Sequence, residues 1–349
     1  MSLESPYDDS LLTSPLPAFS SKEVADFARR HFGLAGTLRP LTGERDLIFL
    51  LEDAREGQFT IKVANPAEDP LVLDFQLSAL DHAAHRAPRI PLPRVRHTLA
   101  GPSAAIVEDA SGTRHLFYAL SFLPGTPLAR VAMTAGLAAA AGGVLADLDR
   151  ALDGFTHAGQ GRRLLWDHSR LAELAGHIND IPDTDQRRLA AIAFERFESL
   201  ALPRLAALPR QVIHNDLNPH NVIIGDDGAP SGIIDFGDML EAPRVNDLAV
   251  AVSYVVAHGR APLGFAPAMV SSYLQRLPLG EEEVALLPVL VAARCALSLA
   301  IIAWRSRLYP ENAAYIMRNA AASADALERL NALSPEEAAR LLACGSELS

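Results

Sequence analysis

The sequence predicts an α+β chain of two lobes, a small β-rich N-lobe followed by a larger, mainly helical C-lobe. Three observations lead there. The length, 349 residues, exceeds what one minimal core organises. Up to about residue 122, apolar residues alternate along short β-branched segments, the period of half-buried strands. At Leu123-Pro-Gly-Thr-Pro127, two prolines and a glycine punctuate the chain, and beyond them apolar residues recur at helical spacing. The expected divisions are an irregular arm over residues 1–19, an N-lobe over 20–122 and a C-lobe over 123–349.

Ser20-Ser-Lys-Glu23 reads as a capping box that opens a helix ending at Gly33. Residues 38–51 read as two strands joined by a turn at Thr42-Gly43-Glu44. Phe59-Thr-Ile-Lys-Val63 alternates and forms a third strand. Residues 71–85 have helical spacing, and Pro88, Pro91 and Pro93 then break the chain. Strands are expected over 94–99, 103–108 and 116–122. In the C-lobe, helices are expected over 129–151, 169–178 and 185–207. Val222-Ile-Ile224 and Gly232-Ile-Ile234 flank Asp226-Asp-Gly228 as a β-hairpin. Helices follow over 245–257, 267–275, 281–307 and 312–331, and Ser334-Pro-Glu-Glu337 caps a last short one.

Composition excludes several classes. The net charge of −11 argues against a nucleic-acid binder and suits a cationic small molecule better. Cys295 and Cys344 are too few for a disulfide framework or a zinc site, which fits a reducing, cytoplasmic setting. Residues 1–20 lack the basic start and apolar centre of a signal peptide. The most apolar stretch, 289–303, is interrupted by Arg294 and falls short of the ~20 residues that span a bilayer, so it reads as a buried helix and no membrane is expected.

The chemistry is concentrated in residues 213–238. His214, Asp216 and Asn221 form an H-x-D-x-x-x-x-N pattern, and Asp235-Phe-Gly follows after the hairpin. Protein kinases carry the same two pieces in the same order, which points to phosphoryl transfer from a nucleotide. Asp216 is the candidate catalytic carboxylate, since an acceptor hydroxyl must be held in line and its proton taken. Asn221 and Asp235 offer the hard oxygen donors that magnesium takes. His214 reads as a brace for the loop. Lys62, mid-strand among apolar residues, needs a polar partner, and nucleotide phosphates are the obvious one; a solvent-facing edge lysine is the alternative. Kinases hold that lysine with a helix Glu, but here the next helix offers Gln76 at the best-placed position. The turn at Thr42-Gly43 has one glycine where a phosphate-covering loop has three, so it reads equally as an ordinary hairpin turn. The backbone of Ser121-Phe122-Leu123 is the expected hinge that meets an adenine edge. Asp238 and Glu241 either draw a cationic acceptor or sit in a solvated loop, and Asp247 reads first as a helix N-cap. Arg294 and Arg305 share one helical face and need partners, either a substrate carboxylate or a protein carboxylate.

Pro219, two residues before Asn221, makes the loop resemble that of the aminoglycoside/choline kinase-like phosphotransferases more than that of eukaryotic protein kinases. Lys62-Val-Ala-Asn-Pro, Phe122-Leu-Pro-Gly125, Leu165-Trp-Asp167, Asp235-Phe-Gly-Asp238 and Asn246-Asp-Leu-Ala249 resemble the same family. Within it the combination is most similar to hydroxylysine kinases and to the kinase-like domains fused to some class III aminotransferases. The resemblance implies a bilobal protein-kinase-like fold, with a nucleotide-binding N-lobe and a C-lobe holding the catalytic loop and acceptor site. It implies ATP with Mg2+ as cofactors and a small-molecule hydroxyl acceptor as partner, an amino alcohol or hydroxy amino acid. A monomer or homodimer is expected. An aminoglycoside antibiotic kinase and a regulatory, nucleotide-binding pseudokinase are the alternatives.

Overall fold

The computed structural model describes residues 16–43, 45–310, 317 and 320–343. The arm before residue 16, Glu44, Cys344 and most of 311–319 lie outside them. The chain divides into two units, Met1–Pro124 with His157–Arg162, and Gly125–Thr156 with Arg163–Ser349.

The first unit is an antiparallel sheet covered on both faces by helices. Its strands are β1 Gly36–Leu41, β2 Leu47–Asp53, β3 Gly57–Val63, β4 Val95–Arg96, β5 Ala104–Glu108 and β6 Arg114–Ser121. The order is β1-β2-β3-β6-β4, and β5 also pairs with β6. Alternation along β6 decides which helix lies where. Phe117 and Ala119 pack with Val24, Ala28 and Phe32 of helix α1, Ser21–Phe32. Tyr118, with Leu116 and Leu120, packs with Leu73 and Leu77 of helix α2, Pro70–Arg86. The capping box at Ser20 and Glu23 forms as expected, and Gly33 ends α1 at φ 70°, where a Cβ is disfavoured. The segment 157–162 belongs here because His157 stacks on Phe75 at 5.7 Å and lies 3.2 Å from Asp74.

The second unit is mainly helical. Its helices are α3 Ala135–Leu152, α4 Thr184–Arg196, α5 Val245–Ser253, α6 Ala266–Arg276, α7 Glu281–Leu308, α8 Ala320–Asn331 and α9 Pro335–Ala343. The 28-residue α7 has the length and apolarity of a membrane span, yet nearly all of it is buried within the protein, as a core helix. Helices α3 and α6 approach closely because Gly142 carries no side chain: a Cβ there would sit 2.3 Å from the Met269 carbonyl oxygen. Two small sheets complete the unit. Thr126–Pro127 (β7), Val222–Ile224 (β9) and Pro230–Ile233 (β10) form one, with the expected hairpin between the last two. Arg210–Ile213 (β8) and Leu240–Pro243 (β11) form the other, antiparallel pair.

Several elements differ from the sequence expectation. The helix expected over 185–207 stops at Arg196, continues as a π turn over Phe197–Ala201, and resumes only as a 3-10 turn at Leu205–Ala207. Pro203 lacks the N–H that an α-helix would need there. Residues 168–180 form 3-10 helix rather than α-helix. Helix α3 begins at Ala135, where the Thr134 hydroxyl accepts from the Leu137 amide, and the preceding Leu128–Arg130 is a 3-10 turn. The strand expected over 94–99 shrinks to Val95–Arg96. The β8/β11 pair was not expected, since four residues are too few for alternation to register.

The first unit's core leans on Phe117, which is fully buried and lies 5.7 Å from the Phe32 ring and 5.8 Å from Phe27. Phe117→Ala should destabilise it by about 3–5 kcal/mol. Urea unfolding of the variant and parent, followed by circular dichroism, checks this.

Candidate active site

The loop between β8 and β9 carries His214, Asp216 and Asn221, and the segment after β10 carries Asp235 and Asp238. Two sharp backbone turns bring them together. Asn215 and Asp235 both have φ 64°, the left-handed region that Asn and Asp tolerate better than other side-chain residues. The loop is clamped from behind. The amides of His214 and Asn215 donate to the Asp247 carboxylate at 2.8 and 2.7 Å, and Asp247 is fully buried in α5. The N-cap reading of Asp247 therefore gives way to a different one: its side chain caps the catalytic loop instead of its own helix.

His214 is fully buried and uses both ring nitrogens on backbone. Nδ1 accepts from the Asp216 amide at 3.2 Å, so Nε2 carries the hydrogen and donates to the Ile234 carbonyl at 3.2 Å. The ring thus ties the catalytic loop to the segment that leads into Asp235. Asn221 makes a second tie, since its carbonyl accepts from the Ile234 amide at 2.9 Å.

Asp216 is held by amides on one oxygen. Oδ2 accepts from Asn218 Nδ2 at 2.8 Å and from Asn221 Nδ2 at 2.9 Å. Oδ1 lies 3.8 Å from an Arg294 nitrogen. Arg294 is nearly buried, donates to the Trp166 carbonyl at 2.8 Å and has its guanidinium 5.2 Å from the Trp166 ring centre. The protein carboxylate that Arg294 faces is Asp216 itself. Burial pushes the Asp216 carboxyl up to about 8, and the charges of Asp238 and Asp235 push the same way; Arg294 and the Asn218 hydrogen bond oppose them. With 21% of its side chain still open to solvent, the direction rests on those neighbouring carboxylates as much as on burial.

A cation fits this arrangement. Asp235 and Asp238 both lie close enough to raise the proton affinity of Asp216, which groups three carboxylates at one point. Asn221 spends its amide nitrogen on Asp216, so its side-chain oxygen is left as a neutral oxygen donor. Oxygen donors of this kind suit magnesium, which keeps substrate phosphates in its shell and needs few protein ligands. Among the described residues no group of three or more His, Cys, Asp or Glu has metal-site geometry.

The other expected residues fall in different places. Glu241 lies on β11 between inward-facing Leu240 and Ala242, and its carboxylate is 3.9 Å from Arg210 across the strand pair. Arg305 lies three turns beyond Arg294 on α7, with its guanidinium 6.0 Å from the Tyr309 ring. In the first unit, Lys62 pairs in register with Tyr118 of β6, and its ammonium lies 5.9 Å from the Tyr118 ring. Neither Lys62 nor Gln76 makes a hydrogen bond to the other. Thr42 and Gly43 form the tight turn between β1 and β2: a Cβ at Gly43 would sit 2.4 Å from the Asp46 carbonyl oxygen. Asn65 props the turn, its amide donating to Asp46 at 3.1 Å. The Ser121 amide donates to the Arg94 carbonyl at 2.8 Å and the Phe122 amide to the Gln58 carbonyl at 2.9 Å. The Leu123 amide makes no hydrogen bond among the described residues.

Sequence reasoning missed Asp149, a fully buried carboxyl on α3 in contact with Asp247, and Trp166 as the platform for Arg294. A charged residue at an inward position of an Ala/Leu helix was the available signal for the first.

In the ligand-free protein, Asp216 holds its proton more tightly than it does in the unfolded chain. Its contribution to stability is therefore present below the ordinary carboxyl range and lost as pH rises from about 4 towards about 8. Asp216→Asn should melt higher than the parent at pH 8.5 (about half a unit past that window) and gain less at pH 4. Thermal unfolding at both values checks it; an equal gain at both would show the raised proton affinity to be wrong.

Comparison with known proteins shows the family of the chain. A model of the APH phosphotransferase enzyme family matches residues 37–287. Hydroxylysine kinase of Danio rerio is 27% identical over 338 residues, covering 93% of this chain and 95% of that protein. Among solved structures, a microcompartment-associated aminopropanol kinase superposes with a TM-score of 0.68 at 21% identity, covering 89% of this chain and 98% of its own. An amicoumacin kinase in complex with AMP-PNP and Ca2+ superposes with a TM-score of 0.64 at 14% identity, covering 86% and 93%.

Proposed function

The chain belongs to the phosphotransferase enzyme family, and from that premise we propose that it moves a phosphoryl group from ATP, with magnesium, onto a hydroxyl of a small amino alcohol or hydroxy amino acid. The observation that carries this reading is the grouping of Asp216, Asn221, Asp235 and Asp238 around a loop clamped on its far side. The chain is a small-molecule kinase by family, close to hydroxylysine kinase. The acceptor class rests on that relative and on the aminopropanol kinase, whose names both describe a hydroxyl near an amine.

Asp216 orients the acceptor hydroxyl through Oδ1 and takes its proton. Its Oδ2 is fixed by two side-chain amides, which leaves Oδ1 as the oxygen free to act. Arg294 opposes the rise in the proton affinity of Asp216 and so favours the ionised form that a base requires. The Asn221 side-chain oxygen and the Asp235 carboxylate would hold magnesium, which supplies charge neutralisation to the phosphates when bound. Asp238 offers its carboxylate to the acceptor ammonium. In the first unit, Lys62 and the Thr42-Gly43 turn are assigned to phosphates and the Leu123 amide to the adenine edge. Gln76 is assigned to orient Lys62 once phosphates draw the lysine to them, a hydrogen-bonding substitute for the usual ion pair. Glu241 and Arg305 have no part in this mechanism.

Two measurements test it. Asp216→Asn should lower kcat by about 10²–10⁴-fold while KM for ATP stays close to the parent value. ADP release is followed with hydroxylysine, 1-amino-2-propanol, homoserine, choline and kanamycin. Stimulation by kanamycin alone would replace the amino-alcohol reading with antibiotic phosphorylation, and no stimulation by any acceptor would favour the pseudokinase. Separately, Asp235→Ala should remove the magnesium dependence of AMP-PNP binding in calorimetry; retained dependence would show that the metal is held elsewhere.

A further inference from the structure

Behind the catalytic loop lies a buried pair of acids that phosphoryl transfer does not require. Asp149 on α3 and Asp247 on α5 are each fully buried, and they lie close enough that the Asp247 carboxylate raises the proton affinity of Asp149. Two buried carboxylates cannot lie so close unless one carries a proton. The remaining bonds identify which one. Asp247 accepts backbone amides on both oxygens, His214 N–H on Oδ2 and Asn215 N–H on Oδ1, the pattern of an ionised acceptor. Asp149 accepts one bond, from the Tyr273 hydroxyl on Oδ2 at 2.5 Å. Its Oδ1 is buried with no donor to receive. A hydrogen on that oxygen removes the vacancy and gives Asp247 a further donor.

We propose that Asp149 is a positioning residue: it stays protonated on Oδ1 and donates to Asp247, fixing the carboxylate that clamps the His214 and Asn215 amides and so the catalytic loop. The remaining charged and titratable groups around the pair agree with this. Tyr273, from α6, is held well above the ordinary tyrosine range by burial and by Asp149, so it remains a donor. Arg244, at the start of α5, lies near enough to be felt by Asp149, but its own partner is Glu283 of α7 at 3.2 Å. From β8 the approaching side chain is neutral: Gln211 donates to the Asp149 backbone carbonyl at 2.8 Å. Burial and the Asp247 charge raise the Asp149 carboxyl well above the ordinary range, the direction the hydrogen-bond pattern requires. The clamp is therefore intact at neutral pH and loosens in alkali, when a second negative charge appears beside Asp247.

Asparagine is the informative substitution. Its amide nitrogen can stand where Oδ1 stands and donate to Asp247, and its oxygen can keep the Tyr273 bond, with no proton to lose. The experiment uses the full-length protein and needs no acceptor, so it fails or succeeds independently of the substrate reading. The infrared spectrum of the parent at neutral pH should contain protonated-carboxyl absorption, and Asp149→Asn should lose one component of it while the share of Asp216 stays. Hydrogen-exchange protection of the His214 and Asn215 amides, corrected for intrinsic rates, should fall about tenfold in Asp149→Leu but stay within about threefold of the parent in Asp149→Asn. Protection in the parent should decline with alkaline pH, and Asp149→Asn should flatten that decline. If no carboxyl band is lost, or if Asp149→Asn keeps the parent's alkaline decline, Asp149 is not the proton carrier. Should Asp149→Leu fail to fold, those two comparisons still decide the matter.

Discussion

Accumulated negative charge is the constraint around which the second unit is arranged. Asp216, Asp235 and Asp238 raise proton affinity at one point, and Asp247 with Asp149 adds a second acidic pair on the far side of the same short loop. Unpaired carboxylates in a low-dielectric setting are costly, so each needs a specific answer. Backbone amides answer Asp247, a guanidinium stacked on Trp166 answers Asp216 in part, and a proton answers Asp149.

The rigidity of the loop comes from ties of different kinds. His214 uses a neutral ring to join two backbone segments, with Phe236 edge-on at 4.8 Å. Asn221 joins the same segments through its backbone while its side chain holds Asp216. Asp247 closes the far side. Two left-handed residues, Asn215 and Asp235, are kept in uncommon conformations by these bonds. Position and protonation are thus set by the same few contacts.

Much of this was legible in the sequence, and the reasons are physical. The sheet of the first unit and its two helices follow from alternation and capping, local signals that survive without tertiary knowledge. Asp216, Asn221 and Asp235 were legible because their chemistry needs fixed residue types at short spacing. Failures came where tertiary contacts decide. Arg294 sits 78 positions after Asp216, so nothing local linked them, and its partner was left open between substrate and protein. Asp149 looked like an ordinary helix residue because its meaning depends on α5 and α6 lying against α3. Strands β8 and β11 were too short to register, and the helix expected over 185–207 ignored Pro203.

The close passage of α3 and α6 carries one more consequence, for how such a chain can change over generations. Gly142 and Asp149 are seven residues apart on α3, two turns along one face, and they meet Met269 and Tyr273, one turn apart on α6. A side chain gained at position 142 would prise the helices apart where they touch most closely and lengthen the Tyr273 bond two turns away. The glycine and the acid are therefore mechanically linked, so a substitution at the first is felt at the second. A residue with no functional group is in this way bound to the fate of the catalytic loop.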